Sequence, residues 1–149
     1  MDATTIRLRN NISIQYGVIA GVIMALYLFF FQYLDNDYSP GLKFGKYIVL
    51  AICIVLGLNK FKPAVGKRFF QSGLFLGTRL TTIAAIIVVI VHILLYIIQP
   101  DLSFSKYTLF PENPGKMFAI GGLTFVEIFV FGNILTFLTL QFLKEKSRD

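Results

Sequence analysis

The sequence predicts an all-α integral membrane protein: a four-transmembrane-helix bundle with both termini cytoplasmic and a long third helix. Three observations carry this. Of 149 residues, 56% are hydrophobic and only 15% charged, a balance unsuited to a water-soluble globule of this size. The mean hydropathy is +0.71. The apolar residues fall into four runs near the length, about 20 residues, that a hydrocarbon core of about 30 Å requires. Basic residues cluster at the ends of those runs rather than along a soluble face.

The first run, 12–34, follows Arg7 and Arg9. It is too long for a signal-peptide core, and Leu34-Asp35-Asn36-Asp37 lacks a small-x-small cleavage site, so an uncleaved anchor is expected. A turn-rich stretch ending in Ser39-Pro40-Gly41 leads to the second run, 42–59. At about 26 Å it is the shortest span. Lys43 and Lys46 near its start are expected to snorkel outward, their stems lying along apolar surface.

A basic connector containing Lys60, Lys62, Pro63, Lys67 and Arg68 precedes the third run, 69–99, which Pro100 ends. As one helix it would measure about 45 Å, so its first turns, 69–78, are expected to protrude or lie along the inner surface. Residues 101–115, with Pro111 and Pro114, read as a loop. The fourth run, 116–143, carries Glu127 and ends in a charged tail. The whole chain, 1–149, is read as a single membrane domain.

Four spans place both termini on one side. Arg7, Arg9, Lys60, Lys62, Lys67, Arg68, Lys144, Lys146 and Arg148 share that side, against Lys43, Lys46, Lys106 and Lys116 opposite. Nine against four makes the terminal side cytoplasmic by the positive-inside rule. The net charge of +6 then lies at the inner surface, where it suits anionic headgroups or an acidic cytosolic partner rather than nucleic acid. One cysteine, Cys53, and one histidine, His92, cannot make a disulfide framework or a zinc site within one chain. No phosphate loop, nucleophile elbow or H-E-x-x-H pair is present. No metal, no cofactor and no catalytic activity are expected.

Small residues mark packing faces. Gly17 and Gly21, continued by Ala25, lie on one face of the first span, and Gly73 and Gly77 share the start of the third. Gly122 and Asn133, with Ala119 and Thr136, form a small-polar face on the fourth. These serve packing inside the bundle or contact with another subunit. In the third span Thr78, Thr81, Ala85, Val88 and His92 recur in steps of three or four, forming one stripe, with Arg79 on the opposite side. Arg79 is read as snorkelling to the inner headgroups or touching another subunit. Glu127 is expected to hydrogen-bond to another helix, to a Thr or Tyr for example, the alternative being a dyad with His92 able to relay protons.

Gln15-Tyr16-Gly17-Val18-Ile19-Ala20-Gly21, the Lys-rich middle connector followed by Phe69-Phe70-Gln71-Ser72-Gly73-Leu74-Phe75-Leu76-Gly77, and the Pro-rich loop before span four resemble the four-helix bacterial membrane proteins of domain-of-unknown-function family 4199. The resemblance covers nearly the whole chain. It implies the inner membrane of a Gram-negative bacterium and supplies no catalytic residues.

Together these features point to a non-catalytic accessory or scaffolding subunit of a larger membrane assembly, in contact with lipids and other membrane subunits. Two alternatives stand beside it: a small oligomeric transporter or proton-coupled channel using Glu127 and His92, and a lipid-binding or helper subunit of a polyprenyl-phosphate glycosyltransferase.

Overall fold

The computed structural model describes residues 3–34, 44–65, 68–98 and 117–145. These form helix α1 (Ala3–Leu34), helix α2 (Gly45–Phe61), a 3-10 turn (Lys62–Ala64), helix α3 (Phe69–Ile98) and helix α4 (Met117–Glu145). Among the described residues there is no strand. Four helical stretches are long and apolar enough to cross a membrane: Ala3–Phe30, Gly45–Ala64 (α2 with its 3-10 turn), Phe69–Leu95 and Gly121–Leu143. The loop 101–115, Gly41, Lys43, Lys67 and the tail beyond Glu145 lie outside the described residues.

α1 begins at Ala3, a turn or more before the apolar run at 12, because Arg7, Arg9, Asn10 and Asn11 continue the helix as a polar-rich extension. α2 stops at Phe61 because Pro63 follows: it has no N–H to donate and its ring opposes further α-helix, so the chain tightens into the 3-10 turn. The Lys62 N–H still closes on the Leu58 carbonyl.

Neighbours around the bundle do not follow chain order. α1 packs along α2 and α3, and α4 packs along α3 and α2, while α2 and α3 meet more sparsely across the diagonal. α1 and α3 are therefore parallel neighbours. They approach closely at Gly17 and Gly21, where an added Cβ would come within 2.9 Å of Ile83 Cβ and the Leu80 carbonyl, and within 2.8 Å of Ile87 Cβ. α3 and α4 interlock reciprocally: Thr136 fills the space over Gly77, and Thr81 fills the space over Gly132.

The core draws on all four helices, with Met24, Leu50, Ile54, Leu80, Val88, Ile128 and Leu140 fully buried. The outer surface is greasy as well. Ile48 is 64% exposed and Phe142 71%, and exposed Leu, Ile, Val and Phe run along every helix. Such a continuous apolar exterior suits hydrocarbon as its surroundings rather than water.

Candidate functional site: a buried ion pair between α2 and α4

Lys46 and Tyr47, in the first turn of α2, both reach one oxygen of Glu127 on α4. Lys46 Nζ lies 2.7 Å from Glu127 Oε1, and each side chain is only 2% exposed. The Tyr47 hydroxyl donates a hydrogen bond to the same oxygen. The Tyr47 ring stacks on Phe131 at 4.6 Å between centroids, and Phe44 meets Phe131 edge-on at 6.5 Å. Phe131 is one helical turn from Glu127, so α4 presents carboxylate and ring on one face to α2. The Lys46 ammonium sits 5.1 Å from the Tyr47 ring centre, adding a cation–π contact.

This arrangement corrects two readings of the sequence. Lys46 does not snorkel outward. Gly45 lies against Tyr27 of α1, and α1 continues for about 10 Å beyond that level, so the start of α2 is sunk within the bundle and Lys46 turns to the nearest carboxylate. Glu127 takes its hydrogen bond from a tyrosine of another helix, as the sequence allowed, and Lys46 holds the place that the dyad reading gave to His92. The Nδ1 of His92 instead faces the Thr124 hydroxyl at 3.4 Å. Thr124 is one turn along α4 from Glu127, and His92 lies within electrostatic reach of Lys46, so all four side chains share one buried layer. The second carboxylate oxygen, Glu127 Oε2, is buried and has no hydrogen-bond partner among the described residues.

The stripe on α3 faces inward: Thr81, Ala85, Val88 and His92 are buried, and Arg79 is exposed. Arg79 Nη1 donates to Asn10 Oδ1 of α1 at 2.6 Å. Thr78 donates to Asn133 Oδ1 at 2.6 Å, and the Asn133 amide donates back to the Phe129 carbonyl at 2.7 Å, so Asn133 ties α4 to α3. An added Cβ at Gly73 would meet Leu140 at 2.6 Å, and Ala25 is buried. Gly122 does not pack: an added Cβ there meets nothing within 4 Å. One position along the helix is about 100° of phase, and it is Gly121 that faces Val89, at 3.3 Å.

At the end of the bundle carrying the 3-10 turn, Lys62 donates to the Leu143 carbonyl at 3.0 Å and Lys60 lies 5.8 Å from the Tyr16 ring centre. The Arg68 N–H closes on the Val65 carbonyl at 3.4 Å. Among the described residues no group of three or more His, Cys, Asp or Glu is placed to hold a metal ion. No family model, curated protein or solved structure matches the chain.

Proposed function

We propose that the chain is a multi-pass protein of a bacterial inner membrane, with both termini in the cytosol, that acts as a non-catalytic accessory or scaffolding subunit of a membrane assembly. The single observation that carries this reading is the Lys46–Glu127–Tyr47 cluster. Ionisable side chains at membrane depth are spent on one another inside the bundle, so the interior forms a fixed lock between α2 and α4. The glycine–threonine interlock of α3 and α4 tightens the same interior, leaving the periphery as the surface for lipids and neighbouring subunits.

The internal pairing of Lys46 also sharpens the charge asymmetry. With Lys46 neutralised inside, the side opposite the termini keeps Lys43, Lys106 and Lys116 against nine basic residues on the terminal side. Kinship with domain-of-unknown-function family 4199 belongs to the same proposal and agrees with a four-span bacterial membrane protein. Purification in mild detergent at native expression level, with quantitative mass spectrometry of co-eluting proteins, tests it. A recurring stoichiometric membrane partner is expected, and loss of the chain should lower that assembly's abundance. Repeated recovery of this chain alone would overturn the subunit reading.

A second reading, a small proton-coupled transporter or channel, is favoured by the buried Glu127 Oε2, which has no hydrogen-bond partner among the described residues, with the His92–Thr124 contact one turn away along α4. Proton flux in reconstituted vesicles should then fall in Glu127→Gln. Flux that persists unchanged removes this reading.

A further inference from the structure

The parallel packing of α1 and α3 opens a groove on the side of the bundle, lined by Arg9 from α1 and by Phe75, Thr78, Arg79, Thr82 and Ile83 from α3. Two cations face it. The Arg9 guanidinium lies over the Phe75 ring, 5.8 Å from its centre, a cation–π contact that draws on the ring and uses no hydrogen-bond acceptor. Arg79 spends one N–H on Asn10 and is otherwise exposed. Among the described residues neither guanidinium has a carboxylate within ion-pair distance, the one buried carboxylate being taken by Lys46. The threonine protons are also committed, Thr78 to Asn133 and Thr82 to the Thr78 carbonyl, so among the described residues the groove offers guanidinium donors and no neutralising group.

We infer that this groove binds the phosphate of an anionic phospholipid between Arg9 and Arg79. Two forked donors match a phosphate's oxygens, and arginine makes such paired hydrogen bonds where lysine acts as a point charge. Depth and surroundings select a lipid as the source of that phosphate. Counted back from Ile98, Arg79 stands about 28 Å along α3, close to the thickness of a hydrocarbon core, so it falls at headgroup level. On the same face of α3, Ile86 and Ile90 are exposed on the hydrocarbon side of Arg79, an apolar stripe on which acyl chains can lie.

The full chain in mild detergent, examined by native mass spectrometry, tests this with dioleoyl phosphatidylglycerol, dioleoyl phosphatidylcholine and inorganic phosphate as separate probes. The wild-type chain should retain one phosphatidylglycerol about tenfold more tightly than phosphatidylcholine, and inorganic phosphate should neither bind nor displace it at comparable concentration. The double variant Arg9→Gln/Arg79→Gln should lose that preference, while Lys60→Gln/Lys62→Gln, with the same charge change, should keep it. Equal retention of the two lipids, unchanged preference in the double variant, or equal loss in the lysine control would each overturn the site. Tight binding of inorganic phosphate alone would overturn the lipid as its source. If the glutamines unfold the bundle, Arg9→Lys/Arg79→Lys serves instead: it keeps charge without the fork and should lower the preference partway, and full retention there would overturn the paired-donor geometry.

Discussion

Lys46 Nζ stands 2.7 Å from Glu127 Oε1 in a pocket that leaves each side chain 2% exposed, tying the first turn of α2 to the middle of α4. An ion pair so enclosed is an uneven contributor. Apolar residues of similar volume commonly replace such a pair at little cost, whereas losing one partner strands a buried charge. Lys46→Met or Glu127→Leu alone should therefore destabilise the bundle by about 3–5 kcal/mol, and the double variant by much less than their sum. Unfolding equilibria in detergent, assembled as a double-mutant cycle, would show additive losses if the pair were not coupled.

Tyr47 contributes two separable things to this cluster, a hydrogen bond and a ring. Tyr47→Phe keeps the stack on Phe131 and removes the donor, and should cost about 1.5–3 kcal/mol, the range for a hydrogen bond to a charged group. Tyr47→Ala should cost more, since the ring contact goes with it. Equal losses in the two variants would place all the energy in the hydroxyl.

The glycines of α4 are not interchangeable. At Gly132 a methyl group would collide with Thr81, and at Gly122 it would meet open space. Gly132→Ala should destabilise by about 1–3 kcal/mol through overpacking. Gly122→Ala should be neutral or stabilising by up to about 1 kcal/mol, from helix propensity. Thermal unfolding of the two variants side by side decides it, and a reversed order would mean that α4 is rotated from the orientation described.

Thr81 presents a different imbalance. Its hydroxyl is buried and unpartnered among the described residues, while its methyl fills the hollow over Gly132. Thr81→Val keeps the shape and removes the unsatisfied oxygen, so stability should rise by about 1 kcal/mol, read as a higher Tm. A lower Tm would show that the hydroxyl finds a partner when the protein is in lipid.

Orientation can be read from thiol labelling. In a Cys53→Ala background, Asn113→Cys should react with an impermeant maleimide added outside the cell, and Ser147→Cys only after permeabilisation. Reversed labelling would place the termini outside.

The four helices were legible in the sequence because length and apolarity are properties of each segment alone. The inward stripe of α3 was legible for the same reason: the spacing of Thr81, Ala85, Val88 and His92 needs no knowledge of a neighbour. A tyrosine bond from another helix to Glu127 was within reach of the sequence, but the pairing with Lys46 was not. It depends on which helices adjoin and how deeply α2 is sunk, and neither follows from chain order when α2 borders α4 and lies diagonal to α3. Lys46 near the start of an apolar run resembles any lysine reaching for headgroups. The only sequence signal against that reading was the shortness of the second run, which leaves its first turn below the level reached by α1.

The closing contact of the cluster has an order in time. Tyr47 and Glu127 are separated by 80 residues, so the ribosome delivers the lysine-bearing second segment well before the carboxylate that neutralises it. Until α4 is made, the Lys46 ammonium lacks the carboxylate that neutralises it, and burying it unpaired would be costly. Arrival of α4 is then the step that locks the start of α2 in place.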